Sequence, residues 1–325
     1  MPCTRPIPAW RKPFINAATG KRGITFDSKQ AARDMPLSLP CGQCNWCRLE
    51  NSRGKAVRAA HEASLYPQNC FITLTYSEEN LPRSPSGLPT VDYDHPVDFM
   101  NRLRGRLGDH KVRSFGCCEY GDQGGRPHYH ICLFNYKPSD LTFYKQSRLG
   151  DNLYNSEFLS DVWHRLGHVV IGDLTFESAA YVARYVTKKI TGDLAVVHYG
   201  DRLPEKAVCV SKGLGRDWLA ANWQDIYPKD YFHLQRGSKL VRMAPVAYYD
   251  RWMDKNQPKV MAEVRKRREY SSWKLKGSCS CLRYCLHVNP DNDFYRLRVK
   301  EYLLDLNFKK LERVLENETS DVHGF

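Results

Sequence analysis

Val112-Arg-Ser-Phe-Gly-Cys-Cys-Glu-Tyr120, Gly121-Asp-Gln-Gly-Gly-Arg-Pro127, His128-Tyr-His-Ile-Cys-Leu-Phe134 is the stretch that decides the fold. Its two flanks are rich in β-branched, aromatic and apolar residues, and its middle is built from glycine, aspartate and proline. That composition predicts two antiparallel strands, 112–120 and 128–134, joined by a long-tipped hairpin. Working outward, Cys70-Phe-Ile-Thr-Leu-Thr-Tyr76 predicts a strand, and Val97–Leu107 has apolar residues at helical spacing. Ser156–Leu166 predicts a helix, His168–Leu174 a strand, and Ser178–Ile190 a strong helix with Gly192 beyond its end. The order β-α-β-β-α-β, followed by an extra helix, matches the split pattern of ferredoxin-like sandwiches. The expected class is therefore α+β: a ferredoxin-like antiparallel sheet whose active face lies where the extra helix packs. An N-terminal Cys-rich segment precedes it and a mainly helical C-terminal region follows. The expected boundaries are 1–69, 70–195 and 196–325.

Alternation along a strand points residues i and i+2 the same way. His128 and His130 therefore share a face, with Tyr129 on the other. Glu119 ends the preceding strand, and antiparallel pairing brings it beside the histidines. Two imidazoles and a carboxylate form a donor set for a divalent ion, which can polarise a phosphate oxygen. The bland alternative is a pair of satisfied strand-edge histidines. Arg126 stands next to this group.

On the 178–190 helix, 100° per residue puts Tyr181, Tyr185, Lys188 and Lys189 on one side. Val182, Ala183, Val186 and Ile190 fall on the other. The apolar stripe is expected to face the core, leaving the tyrosines among cations. Lysine beside a phenol favours the phenolate and nucleophilic attack, and can neutralise a phosphate in the transition state.

Three motifs now stand in one order: Phe71-Ile-Thr-Leu-Thr-Tyr76, Arg126-Pro-His-Tyr-His130, and Tyr181-Val-Ala-Arg-Tyr-Val-Thr-Lys-Lys189. This set resembles the HUH endonucleases that initiate rolling-circle replication. It looks most like the replication initiators of microviruses, especially the gokushovirus branch, as do the segment Pro40–Arg48 and the Met-Pro-Cys start. The resemblance implies Mg²⁺ or Mn²⁺ held on the scissile phosphate by His128, His130 and Glu119. It implies attack by one tyrosine to leave a 3′-hydroxyl and a 5′-phosphotyrosyl link, with the second tyrosine acting when the circle is closed. Two departures stand out. Arg184, three residues after Tyr181, stands where the spacing calls for lysine, so the two tyrosines need not be equally competent; Arg126 and Arg184 are candidate DNA contacts. Tyr129 is aromatic where the family has a simple hydrophobic residue. Single-stranded viral origin DNA and the host helicase and polymerase are the implied partners, in the cytoplasm of the bacterial host.

The chain has 325 residues, a net charge of +13 and 12 cysteines. The positive balance favours a polyanionic partner. No apolar run reaches the ~20 residues of a membrane span, and the N-terminus carries no secretory pattern. No Gly-x-x-x-x-Gly-Lys-[Ser/Thr] occurs, which argues against a P-loop motor. Cys41, Cys44 and Cys47 offer three thiolates at regular spacing, and Cys3 is the candidate fourth ligand of a structural zinc. An iron–sulfur cluster or free thiols are the alternatives. Cys279, Cys281, Cys285 and His287 form a second candidate group. Arg102, Arg104, Arg106 and the run Arg265–Arg268 are candidate phosphate contacts. Competing functions are an HUH relaxase or transposase and a non-catalytic, zinc-stabilised single-stranded nucleic-acid binder. A histidine-based phosphoesterase would want a second histidine motif, which the sequence does not contain.

Overall fold

The computed structural model describes residues 3–17, 21–32, 35–121, 124–147, 150–188, 190, 193–275 and 294–309. The second cysteine group, Lys189 and Gly192 lie outside them. Elements in chain order are β1 (Ile7–Asn16), β2 (Lys21–Thr25), β3 (Pro36–Leu39), α1 (Asn45–Ala63), β4 (Asn69–Leu74), α2 (Asp94–Leu107), β5 (Arg113–Tyr120) and β6 (Pro127–Phe134). They continue with β7 (Thr142–Gln146), β8 (Asn152–Asn155), α3 (Glu157–Val162), β9 (Val169–Gly172), α4 (Phe176–Lys188), α5 (Asp193–Tyr199) and β10 (Ala207–Val208). The last are α6 (Arg216–Ile226), β11 (Phe232–Arg236), β12 (Lys239–Met243), α7 (Ala247–Asn256), α8 (Pro258–Leu275) and α9 (Phe294–Lys309). The chain forms two compact units, one of Met1–Asn51 with Tyr270–Glu312 and one containing Ser52–Glu269.

In the smaller unit, β1 pairs antiparallel with β2 and β3. The larger unit holds a seven-stranded sheet in the order β10-β5-β6-β4-β9-β8-β7, with every pair antiparallel. The hairpin forms as its composition dictates, Arg113 opposite Phe134 and Glu119 opposite His128. Gly116 lets it close, because a Cβ there would sit 2.9 Å from the His130 carbonyl oxygen. Every residue of β6 is buried, which explains its near-continuous apolar run: both faces of this strand are covered by helices.

The two faces separate by strict alternation. Cys70, Ile72, Leu74, Tyr129, Ile131 and Leu133 turn to one side, against Phe99, Met100 and Leu103 of α2 and Leu159 and Val162 of α3. Phe71, Phe115, Cys117, Cys132 and Phe134 turn to the other, against Ala56 and Ala59 of α1 and Ala179, Val182 and Ala183 of α4. Thr73, Glu119, His128 and His130 fall on this second face, so the polar cluster lies where the extra helix packs. A third core, with Leu219 of α6, Phe232 of β11, Tyr249 of α7 and Met261 of α8, fills the region after β10. That region is helical as expected, but it also returns a strand to the main sheet through β10 and carries the β11–β12 hairpin.

One expectation fails on α4. Tyr181 does not stand away from the core: it is 2% exposed and packs with Val182 and Ala183. Around Tyr181 the helix packs over β5 and β6 and also meets β11.

Candidate functional site

Three elements bring the polar cluster together. β6 supplies His130, β5 supplies Glu119 and α4 supplies Tyr181, and all three are nearly fully buried. His130 Nε2 lies 2.9 Å from Glu119 Oε1. The pair is diagonal across the ladder, since Cys117 is the register partner of His130. The Tyr181 hydroxyl donates to the same Oε1 at 3.0 Å, and its ring stands edge-on to His130 at 4.9 Å between centroids. On the other side of the imidazole, Nδ1 is 2.9 Å from Thr73 Oγ1, because Thr73 is directly opposite His130 in the β4–β6 ladder. Thr73 thus fixes the ring from behind, a role that its place in the 71–76 motif did not reveal.

His128 is buried beside this group, 5.9 Å from His130 between ring centroids and nearly perpendicular to it. Gly121 leaves it room: a Cβ there would come within 2.8 Å of His128 Cε1. Glu119 Oε2 is buried and has no hydrogen-bond partner among the described residues. A bare carboxylate oxygen in a dry site is costly, and a bound cation would satisfy it. The set of two imidazoles and one carboxylate fits a divalent ion by chemistry. The three are not gathered as a ready cage, however; among the described residues only the four cysteines below bring such atoms within 4.8 Å of one another.

The remaining residues singled out from sequence are more scattered. Tyr185 and Lys188 lie in α4, one and two turns beyond Tyr181, and Arg184 is half-buried on the same helix. Arg126 is ion-paired with Glu78 and donates to the Tyr76 carbonyl at 3.1 Å. Other candidate phosphate contacts bind the fold itself. Arg102 donates to the Val162 carbonyl at 2.8 Å, Arg104 to that of Val112, and Arg268 to Asp230 and Asp250.

In the smaller unit, Cys3, Cys41, Cys44 and Cys47 bring their sulfurs within 4.8 Å of one another. Cys47 lies in the first turn of α1 and Cys44 just before it, so backbone amides point at the thiols. The Cys44 amide reaches Cys41 Sγ at 3.2 Å, and the Cys41 amide reaches Cys3 Sγ at 3.3 Å. Cys3 and Cys44 sulfurs are 3.7 Å apart, close to the edge of about 3.8 Å expected for a tetrahedron with ~2.3 Å zinc–sulfur bonds. Burial pushes the Cys44 thiol up, but hydrogen bonds from Thr4 and from the backbone at Cys47 and Thr4 bring it down to about 6. Burial pushes Cys47 well up. Four thiols held this closely could bind a metal ion such as zinc.

Among the described residues no helix is long and apolar enough to cross a membrane. A family model described as replication-associated protein ORF2/G2P matches residues 69–190, the span of the sheet face, its histidines and α4. No solved structure matches the chain. The replication-associated protein ORF2 of Spiroplasma virus 4 is 37% identical over 67% of this chain and 68% of its own. ORF4 of Chlamydia phage 1, also named a replication-associated protein, is 32% identical over 60% of this chain and 49% of its own. The replication-associated protein VP4 of Bdellovibrio phage phiMH2K is 31% identical over 97% of this chain and the whole of its own length. Likeness sustained from end to end in this way means that the chain belongs to the phage replication-associated protein family.

Proposed function

We propose that this protein initiates phage DNA replication by nicking and rejoining single-stranded origin DNA. The observation that carries the reading is the convergence of His130, Glu119 and Tyr181 from three separate elements, with the phenol donating to the carboxylate at 3.0 Å. The order β9-β4-β6-β5 within the sheet, with α2 and α3 on the opposite face, supports a ferredoxin-like HUH core at 70–195, to which β10 adds an edge strand.

In this reading the Tyr181 oxygen attacks phosphorus, an Oη–P bond forms and the P–O3′ bond breaks. The 5′-phosphate stays on the tyrosine. Glu119 Oε1 is placed to take the phenol proton, which the departing 3′ oxygen needs to become a hydroxyl. His128, His130 and Glu119 Oε2 would hold Mg²⁺ or Mn²⁺, which would supply polarisation of a non-bridging phosphate oxygen. Tyr185, one turn along α4, is the second nucleophile for rejoining, and Lys188 and Lys189 neutralise phosphate charge. Arg126 and Arg184 contact the strand once DNA competes for them. The four-cysteine group holds a structural zinc. The protein works in the host cytoplasm with the host helicase and polymerase.

The test is a denaturing gel of the protein incubated with Mn²⁺ and single-stranded origin-region oligonucleotides. A covalent adduct is expected for wild type and lost in the Tyr181→Phe, Tyr185→Phe double variant. An adduct surviving in that variant, or none with wild type despite tight binding, overturns the reading.

A further inference from the structure

The smaller unit holds sixteen lysines and arginines against eight acidic residues, so under a third of the chain carries more than half of its net charge of +13. The bias is sharpest at the start. Residues 1–26 contain Arg5, Arg11, Lys12, Lys21 and Arg22 and no aspartate or glutamate. The first acid, Asp27, is engaged locally: its carboxylate accepts from the Lys29 amide at 2.8 Å and from the Gln30 side chain.

Most of these cations sit on an arm. β3 pairs with β1 only over Ile7–Trp10. From Arg11 to Asn16 the ladder partner of β1 is β2. Lys12, Pro13, Phe14, Ile15 and Asn16 are all exposed, so the ribbon buries neither face there. Phe14 is 81% exposed, Ile15 58% and Ile24 42%. A sheet that packs on a core hides one face and shows water a polar one. A ribbon that shows water its apolar side chains on a two-stranded extension marks a surface for a partner.

The register sets charge on both faces. Arg11 opposes Ile24, and Ile15 opposes Arg22. Ile24 and Arg22 are two apart on β2, so these four share one face, cations beside isoleucines. Gly23 points to the other face, and the Lys12 stem lies across it: a Cβ there would come 3.3 Å from Lys12 Cδ. Arg11 donates to the Arg22 carbonyl at 3.3 Å, and Arg22 to the Pro13 carbonyl, which stiffens the arm while leaving both charges in place.

We propose that the β1–β2 arm binds duplex DNA, lying in a groove with Arg11 and Arg22 toward one phosphate wall, Lys12 toward the other, and Phe14 and Ile15 against the base pairs. The major groove is ~12 Å wide and admits a two-stranded ribbon. Apolar side chains flanked by cations suit base pairs between lines of phosphate. Cations on both faces match two walls, whereas a single strand offers one line of phosphates. The inference rests on the DNA reading above and goes beyond it, using no residue of the nicking cluster.

The test measures affinity of the full chain by fluorescence anisotropy for a labelled duplex of about 20 base pairs and for one of its strands alone. Phe14→Ser with Ile15→Ser should lose about tenfold in affinity for the duplex and less than about twofold for the single strand. Lys12→Gln should lower the slope of log affinity against log salt for the duplex by about one. Both variants should nick a single-stranded oligonucleotide at the wild-type rate, so a failure of nicking and a failure of the arm read separately. Unchanged duplex affinity in the Phe14, Ile15 variant, or an equal loss on the single strand, overturns the proposal. So does a wild type that binds no duplex, and that result leaves the nicking reading standing.

Discussion

The two polar clusters of this protein treat their ligand atoms in opposite ways. In the smaller unit, four thiols lie within 4.8 Å of one another and lean chiefly on backbone amides and on each other. On the sheet face, His130, Glu119, Tyr181 and Thr73 bond mostly to one another, and one carboxylate oxygen is left over. The first arrangement has no open position and suits an ion that never leaves. The second is held together without an ion and leaves Glu119 Oε2 bare; under the proposed reading that oxygen serves an ion that comes with substrate. The lesson is that a closed site and an open one can be told apart by what their donors do when alone.

The largest expected effect separates them by chelation. Stripping metal from the cysteine group with a thiophilic chelator, or substituting Cys44→Ser, should open the smaller unit to limited proteolysis. Structural zinc contributes on the order of 10 kcal/mol to the folding of such sites. Chelation of Mg²⁺ or Mn²⁺ should leave the proteolysis pattern unchanged and stop nicking. Elemental analysis that finds no zinc in the purified protein would erase the distinction. Next in size, His130→Ala should slow nicking about 1000-fold, the several kcal/mol of a lost metal-assisted site, with single-strand binding mostly retained. Equal loss of binding would make the sheet cluster structural, like the cysteines. Smaller still, Thr73→Val should cost roughly 10–100-fold in nicking by freeing the His130 ring, as loss of a partner behind a ligand usually does. It should also raise the Mn²⁺ concentration needed for half-maximal rate. An unchanged metal requirement would detach Thr73 from the site.

The hairpin was legible in the sequence because its register follows from alternation on both sides of a tip marked by its glycines, and that register carried Glu119 to the histidines. The cysteine group was legible from spacing, with Cys3 brought in across 37 intervening residues by the β1–β3 sheet. The burial of Tyr181 was not legible. A helical wheel gives which residues share a side, not how much of each side is covered, and around Tyr181 the cover extends past the Val182–Ala183 stripe. The partners of the basic residues were not legible for a related reason. Composition counts charges, and does not show that Arg102, Arg104 and Arg268 also donate to carbonyls and carboxylates of the fold. The strands β7, β8, β11 and β12 escaped because their exposed positions are too polar for the period to show.

The shared oxygen of Glu119 has a consequence in time rather than in space. A hydroxyl that already donates to a carboxylate has its proton acceptor in place before any strand arrives. Under the proposed reading Tyr181 needs no rearrangement to lose its proton, and the cut waits only for a phosphate brought in line with Oη.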